Sequence, residues 1–192
     1  MDKIEGIFQT PLFKTKLENT HGLDKELIKL LENEKKLKAG RKKTNKGGFQ
    51  TKLLGSGTPA VDKFHQFISP TVVNFLKQIN IPKDSMVRLS PLWINSNTKN
   101  SYNLSHTHDG EFSLVYYLKT PKDSGDIVFE NPNPYIGSTW SWVWSQAKLN
   151  PQEMANEYTS ESIFVKSEEK LLLLFPSYLK HSVSTNMSKE DR

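Results

Sequence analysis

The segment His106-Thr-His-Asp109 precedes the apolar run Ser113-Leu-Val-Tyr-Tyr-Leu118, and this combination indicates both the fold and its chemistry. Side chains alternate along an extended chain, so His106 and His108 point to the same side. Histidine is the commonest metal ligand in proteins, and two imidazoles placed in this way can bind one ion. His181 lies 73 residues after His108, beyond the strongest apolar run of the chain. The pattern predicts a metal site in a β-rich fold.

The composition limits the kind of metal site. The chain has 192 residues, which favours a single domain over residues 1–192. It contains no cysteine, which excludes disulfides, thiolate metal sites and cysteine nucleophiles. A metal must therefore bind to histidine, carboxylate or water, a ligand set that suits non-haem Fe(II), Mn or Zn.

No segment has the pattern of a signal peptide or a membrane span. Charged residues interrupt the first twenty positions, and the longest apolar run, Leu171 to Phe175, has five residues. A membrane-spanning helix needs about 20. We therefore expect a cytoplasmic location and no membrane partner.

The second half of the chain has the sequence pattern of a β-protein. After Pro82, short β-like runs alternate with turn signals and no helical period intervenes, which predicts a sandwich or barrel of antiparallel strands. The runs are Met86–Leu89, Leu92–Asn95, Phe112–Lys119, Asp126–Glu130, Ser162–Lys166 and Leu171–Phe175. Trp140, Trp142 and Trp144 alternate, so on a strand all three would face one way.

The first half predicts one strand and helices that support the β-core. Residues 7–17 favour a strand interrupted by Pro11, and leucines at helical spacing predict a helix over residues 23–34. Apolar residues also step by three and four from Val61 to Ile79. Ser69-Pro70 would suit a helix start, so we expect two short helices meeting there. Residues 1–84 would then hold the strand and supporting helices, and residues 85–192 the β-core.

The segment from Lys35 to Lys46 carries seven basic residues and is followed by Gly47-Gly48. It is either a solvated loop or a contact for an anionic substrate or nucleic acid. No aromatic residue interleaves the lysines, so the run gives no support for stacking on bases. Nucleic acid is therefore not among the expected partners.

The motifs together resemble the Fe(II)- and 2-oxoglutarate-dependent oxygenases, whose fold is the double-stranded β-helix, a cupin-like jelly roll. Ser113–Leu118 followed by Ser124-Gly-Asp126 is similar to the core of the prolyl-hydroxylase-like branch. More narrowly, the chain resembles a group of bacterial and phage oxygenases with a series of short signatures. Here these read Phe8-Gln-Thr-Pro11, Asn45-Lys-Gly-Gly-Phe49, His106-Thr-His108, Val115-Tyr-Tyr117, Ser124-Gly-Asp-Ile-Val-Phe129 and Phe175-Pro-Ser-Tyr-Leu-Lys-His-Ser-Val183. The resemblance implies a mainly β fold with flanking α-helices.

The resemblance also implies roles for individual residues. His106 would be the first iron ligand and His181 the distal one. Arg192 would pair with the 5-carboxylate of 2-oxoglutarate, since a planar guanidinium can bind a carboxylate through two parallel hydrogen bonds. Tyr117 would donate to the same carboxylate, and Ser113, which shares its strand parity, would also face the barrel interior as a third cosubstrate-binding residue. The alternative for Tyr117 is an ordinary core tyrosine.

The third iron ligand stays open. Most of the superfamily has a carboxylate two residues after the first histidine, giving two histidines and one carboxylate on one face of the iron. This chain has His108 at that position. Either His108 itself binds, giving a three-histidine face, or Asp109 supplies the carboxylate, with Glu111 as a more distant alternative.

If the resemblance holds, the cofactors are Fe(II), 2-oxoglutarate as cosubstrate, and O2, with His106, His108 and His181 as the catalytic centre. Three protein ligands leave positions for 2-oxoglutarate and O2. The reaction would hydroxylate a prolyl or other aliphatic C–H, in a peptide or a small molecule, and release succinate and CO2.

Two other functions are consistent with the sequence. One is a cupin-like jelly roll that binds a metal or a sugar without oxygenase activity, or acts as an isomerase. Only a 2-oxoglutarate enzyme needs a buried receptor for a distal carboxylate, so the pair Tyr117 and Arg192 distinguishes the two. The other is an interaction module that uses the Lys35–Lys46 loop and retains a vestigial metal site.

Overall fold

The computed structural model describes residues 4–38, 40–82, 84–147, 156 and 158–192. The helices in these ranges are α1 Leu23–Lys36, α2 Pro59–Gln78 and α3 Tyr135–Ala147. The strands are β1 Phe13–Lys16, β2 Asn45–Lys46, β3 Phe49–Gln50, β4 Asn95–Ser96, β5 Tyr102–His106, β6 Phe112–Tyr116, β7 Ile127–Glu130, β8 Ser162–Val165, β9 Leu171–Pro176 and β10 His181–Val183. None of the described helices has the length and apolarity that a membrane span requires.

Strand β9 is buried along its whole length and joins two hydrophobic cores. Because side chains alternate along a strand, Leu172 and Leu174 face one core. Leu173 and Phe175 face the other. The continuous apolar run therefore reflects a strand with protein on both faces.

Two antiparallel sheets enclose the second core. One has the order β1-β9-β6 and the other the order β2-β5-β10-β7-β8. Ile127, Phe129 and Val165 of the larger sheet share this core with Leu173 and Phe175 of the smaller one. The two facing sheets form the jelly roll that the sequence predicted, so a mainly β fold with flanking helices is confirmed. The short pair β3-β4 lies outside both sheets.

Helices α1 and α2 cover the outer face of the smaller sheet. Their buried residues form one core with Leu172 and Leu174 of β9. Tyr116 of β6 faces this core, and its hydroxyl donates a hydrogen bond of 2.8 Å to Asp24 of α1. Its neighbour Tyr117 belongs to the core between the sheets. The prediction that the helices support one sheet is therefore confirmed.

Helix α2 is continuous, so the prediction of two short helices meeting at Pro70 was wrong. A proline in a helix interior costs about 3 kcal/mol because it removes one backbone hydrogen bond and crowds the preceding turn. The buried face includes Phe64 and Ile68 before the proline and Val72 and Phe75 after it. Burying one such side chain contributes roughly 1.5–3 kcal/mol, so packing on both sides outweighs the cost of the proline.

The three alternating tryptophans lie in helix α3, not on a strand. Residues two apart on a helix are about 200° apart around its axis, so Trp140 and Trp142 do not share a face there. The side chain of Asn133 accepts a hydrogen bond of 3.0 Å from the backbone N–H of Tyr135, the first residue of the helix. Asn133-Pro134 is thus the signal for the start of a helix, and the alternating spacing of the tryptophans drew attention away from it.

Other predicted strands are shorter than expected or absent. Residues 86–89 form no strand, and Met86 is 85% exposed. Leu92 makes only an isolated backbone bridge to Leu54. At the N-terminal end the strand is limited to Phe13–Lys16, and Phe8 is exposed with a positive φ of 57°. In the described part of the chain, these runs therefore pair over fewer residues than their β-favouring composition suggests.

Candidate metal and cosubstrate site

His106 and His181 face each other across two neighbouring strands. His106 is the last residue of β5 and His181 the first of β10, and the antiparallel register places them directly opposite each other. Their ring centroids are 4.4 Å apart. The Nδ1 atom of His106 lies 2.7 Å from the carbonyl oxygen of Leu104, and that of His181 lies 2.9 Å from the carbonyl oxygen of Leu179. If each Nδ1 carries the proton that it donates, each Nε2 is left with a free lone pair.

His108 completes a cluster of three imidazoles. It lies just beyond the end of β5, and its backbone N–H donates a hydrogen bond of 3.1 Å to the carbonyl oxygen of Ser177. Its ring centroid is 4.7 Å from that of His106 and 5.1 Å from that of His181. One ring nitrogen from each of the three residues lies within 4.8 Å of the others, the arrangement needed to hold one metal ion.

Two residues beside the cluster received no role in the sequence analysis. The ring of Trp93 lies 5.3 Å from that of His108. Ser177, which is fully buried, holds the His108 backbone and shares a hydroxyl hydrogen bond of 2.8 Å with Ser113. Ser177 belongs to the Phe175-Pro-Ser signature, whereas Trp93 was hidden in a run predicted only as a strand. Ser113 therefore supports the segment that positions His108.

Burial and mutual proximity affect the protonation of the cluster. Burial lowers the pKa of His181 to about 4, and the neighbouring His106 and His108 contribute in the same direction. Burial, and then the proximity of His106, also lowers the pKa of His108. Both rings are therefore neutral at pH 7, which is the state that binds metal.

The low pKa of His181 predicts that the metal-free protein loses stability in mild acid. The unfolded chain binds a proton at His181 near pH 6.5, whereas the folded chain does so only near pH 4. Because the unfolded state binds more protons in this interval, the free energy of unfolding falls as pH decreases from 6.5 towards 4. The expected loss is about 3 kcal/mol. Urea unfolding in the presence of a chelator measures it, and His181→Gln should weaken the dependence. An equal slope in both proteins would contradict this origin.

Asp109 and Glu111 do not join the three histidines. Both are exposed, and among the described residues the metal-competent cluster contains His106, His108 and His181 only. The geometry therefore favours His108 over Asp109 as the third ligand. His65 lies apart, on helix α2.

Arg192 and Tyr117 meet at the turn formed by Ser124 and Gly125. The Nη1 atom of Arg192 donates hydrogen bonds of 2.8 Å and 2.9 Å to the carbonyl oxygens of Ser124 and Gly125. The hydroxyl of Ser167 donates to the carbonyl oxygen of Gly125 as well, and its proximity to Tyr117 acts to lower the pKa of that tyrosine. The structure thus brings together the two residues that the sequence analysis paired.

The surroundings of this turn keep the hydroxyl of Tyr117 protonated and Arg192 charged, and the nearby Asp126 carboxylate raises the pKa of both. Burial raises the pKa of Tyr117, although Ser167 and Arg192 oppose the shift, so the hydroxyl stays protonated and able to donate. Burial lowers the pKa of Arg192, but a guanidinium remains charged in proteins. Within the described part of the chain Arg192 makes no ion pair, and only carbonyl oxygens accept from it. A partly buried cation of this kind is suited to a carboxylate ligand.

The backbone of Arg192 is also fixed. Its N–H and C=O exchange hydrogen bonds of 3.0 Å and 2.8 Å with Asn97. Asn97 is fully buried, and its side chain bonds to those of Asn45 on β2 and Asn103 on β5. The same network therefore connects Arg192 with the strand that carries His106.

A jelly roll with three convergent imidazoles at the edge of one sheet defines a mononuclear non-haem metal protein. Residues 91–192, more than half of the chain, match the family described as "Putative 2OG-Fe(II) oxygenase". The chain belongs to this family, and the resemblance found in the sequence is confirmed. It is an oxygenase whose cofactors are Fe(II), 2-oxoglutarate and O2. No curated protein matches the sequence.

Solved structures share the fold at low sequence identity. A prolyl-4-hydroxylase of Pseudomonas putida superposes with a TM-score of 0.61 at 11% identity, covering 95% of this chain and 88% of its own. A prolyl hydroxylase of Trichoplax adhaerens, solved with a peptide fragment of the oxygen degradation domain of hypoxia-inducible factor, has a TM-score of 0.58 at 11% identity. That match covers 94% of this chain and 80% of the other. Both matches show the jelly-roll fold.

The donor set of the cluster fits a divalent iron ion. Imidazole is a suitable ligand for Fe(II), and the carbonyl oxygens of Leu104 and Leu179 orient the rings of His106 and His181. His108 adds a third nitrogen where most of the superfamily has a carboxylate. Three imidazoles, which bind metal in their neutral form, would leave the positive charge of the ion uncompensated by protein and would favour binding of the anionic cosubstrate.

Proposed function

We propose that this oxygenase hydroxylates an aliphatic C–H bond, with a prolyl ring of a peptide as the first candidate, and forms succinate and CO2 from 2-oxoglutarate. One oxygen atom of O2 enters the new hydroxyl group and the other enters succinate, while the 1-carboxylate of 2-oxoglutarate leaves as CO2. The observation that carries this proposal is the convergence of His106, His108 and His181 within 4.8 Å in a member of this family. Bound Fe(II) would activate O2 and supply the redox chemistry that no side chain of the protein provides.

The roles of the histidines follow from their surroundings. His106 and His181 would bind through Nε2, because each Nδ1 faces a backbone carbonyl. His108 would bind as the third ligand, held by the backbone of Ser177. Rings anchored in this way need little reordering to bind an ion. Groups that hydrogen-bond to metal ligands, such as these backbone carbonyls, typically influence metal affinity by about 10–100-fold.

Arg192 and Tyr117 would bind the distal carboxylate of 2-oxoglutarate. Nη1 of Arg192 is occupied by two carbonyl oxygens, which fixes the plane of the guanidinium while its other nitrogens remain available for a ligand. The protonated hydroxyl of Tyr117 lies in the same region and could donate to the same carboxylate. The lack of an ion pair for Arg192 among the described residues supports this role.

Trp93 offers a surface for an aliphatic substrate. Its half-buried ring lies 5.3 Å from that of His108, so its free edge can contact a group held near the metal. A flat aromatic face packs well against a saturated ring such as that of proline. The fold shared with two prolyl hydroxylases supports a prolyl peptide as the first substrate to test.

The direct test is turnover by the Fe(II)-loaded protein. With 2-oxoglutarate, O2 and a proline-containing peptide, we expect succinate to form together with a peptide heavier by one oxygen atom, in equal amounts. The control is the same peptide with alanine in place of proline. Succinate without any oxidised peptide would reject the prolyl substrate. No succinate under any condition would favour the cupin-like alternative, a metal- or sugar-binding jelly roll without oxygenase activity.

A further inference from the structure

The positive charge of the chain is concentrated in one segment. Residues 35–61 contain eight lysines and arginines and no aspartate or glutamate, so this segment carries +8. The whole chain carries +5, so the remaining residues together carry −3. An even distribution would indicate only a solvated surface. This distribution instead concentrates the positive charge in the end of α1 and the segment that follows it.

Part of the segment forms a cleft of about 340 Å3. Its basic lining comes from the end of α1 and the loop after it, namely Lys35, Lys38, Arg41 and Lys42. Lys35 pairs with Glu32 and Asp191. In the described part of the chain, no ion pair is found for the other three. The cleft therefore has unneutralised charge.

The basic segment is hydrogen-bonded to two strands or loops that lead to the metal cluster. The carbonyl oxygen of Thr44 accepts a hydrogen bond of 3.0 Å from Leu104, whose own carbonyl orients His106. On the other side of the loop, Thr51 donates to the carbonyl oxygen of Ile94, the residue after Trp93. The basic segment is thus connected on both sides to residues that flank the three histidines.

The lining fits a peptide better than a nucleic acid. The ring of Phe49 lines the cleft, but it also packs against the helical core and lies close to Gly40, where an added Cβ would be only 2.7 Å from it, so part of the ring is covered and less of it is open to stack on a base. Gln50 also lines the cleft, is 5% exposed, and its Oε1 has no hydrogen-bond partner in the described part of the chain. A buried acceptor needs a donor, and a peptide backbone supplies N–H groups.

We propose that this cleft binds an acidic segment of the peptide substrate, on one side of the residue that is oxidised. The inference rests on the proposed function, because it assumes that the substrate is a peptide held at the metal. Carboxylates of the substrate would contact Lys38, Arg41 and Lys42, while the backbone would satisfy Gln50. Substrate selection would then depend on charge at a fixed distance from the target residue.

The test measures binding without turnover, using the Fe(II)-loaded full chain with 2-oxoglutarate under anaerobic conditions. Three fluorescent peptides share a central proline and a Gly/Ser background. One has four glutamates before the proline, one has four after it, and one has four glutamines in place of the glutamates. We expect one acidic peptide to bind about tenfold or more tightly than both others, since several ion pairs contribute together, and salt should reduce the difference.

Charge-reversal variants test whether the preference for an acidic peptide arises from the cleft. Lys38→Glu/Arg41→Glu/Lys42→Glu should abolish the preference, and the milder triple glutamine variant keeps the test valid if charge reversal impairs folding. The matched control Lys14→Glu/Lys25→Glu/Lys29→Glu changes the charge equally on exposed residues outside the cleft and should keep the preference. Equal binding of both acidic peptides, or equal loss in both triple variants, would overturn the proposal. Tighter binding of a single-stranded RNA 12-mer that is lost in the cleft variant would also overturn it.

The outcome is separable from that of the proposed function. Binding of Fe(II) and of 2-oxoglutarate is measured on the same variants and should be unchanged, because none of the substituted residues belongs to the metal or cosubstrate site. If the charge preference fails while succinate forms with a prolyl peptide, only this inference is rejected. If no succinate forms, the proposed function is rejected whatever the peptides bind.

Discussion

His181→Ala is expected to abolish stoichiometric Fe(II) binding. His181 is 3% exposed, lies opposite His106 in the sheet register, and contributes one of three nitrogens to the cluster. Removing it leaves two ligands and a cavity in place of the third. Loss of a group that only hydrogen-bonds to a metal ligand typically costs about 10–100-fold in metal affinity. Loss of the ligand itself should therefore cost at least about 100-fold. Equilibrium dialysis followed by elemental analysis gives the metal content directly.

His21→Ala is a suitable control for this experiment. His21 is exposed and lies outside the cluster, so this variant should bind one equivalent of Fe(II). Circular dichroism should show that His181→Ala remains folded. This check is needed because loss of packing between the sheets would also reduce the metal content. Full metal content in folded His181→Ala would reject the assignment. Asp109→Ala should retain metal if His108 is the third ligand.

Arg192→Ala is expected to weaken 2-oxoglutarate binding by roughly 30-fold or more, while Fe(II) binding persists. Removing one partner of a water-shielded, charge-assisted pair typically costs about 2–5 kcal/mol. Arg192→Lys should recover only part of this loss, because an ammonium group lacks the planar fork of a guanidinium. Titration of the Fe(II)-loaded protein under anaerobic conditions, followed by its absorbance or by calorimetry, measures the affinity.

Two comparisons give this result a specific meaning. Lys189→Ala removes an exposed positive charge near the same end of the chain and should leave the affinity for 2-oxoglutarate unchanged. Pyruvate lacks the distal carboxylate, so it should bind weakly and should not distinguish wild type from Arg192→Ala. If the wild-type protein bound both acids equally well, the carboxylate receptor would have to lie elsewhere.

The sequence was most informative where one physical constraint acts alone. The apolar runs of β6 and β9 reflect strands that pack against a core on each face, and such burial leaves a mark in the local sequence. The close spacing of His106 and His108 likewise placed two rings together without knowledge of the fold. Their approach to His181 depends on the register of β5 against β10, a long-range property that no local pattern encodes.

The errors occurred where tertiary packing outweighs local preference. Pro70 was interpreted from its intrinsic cost, although the packing of the residues on either side keeps α2 continuous. The alternation of the tryptophans would have given them one common face on a strand, but these residues lie in a helix whose start is marked by Asn133. The contact between Trp93 and His108 could not be predicted either, because it depends on how the loop preceding β4 crosses the sheet edge.

Strand β9 has a consequence for how this enzyme could be divided or transplanted. Residues 91–192 carry the family match and the histidines, yet this segment lacks both strand β1, which pairs with β9, and helices α1 and α2. Without them, Leu172 and Leu174 would be exposed to water and β9 would become an open edge that invites association with other chains. The catalytic half is therefore not a portable module, and grafting the site onto another scaffold would require the helical layer as well.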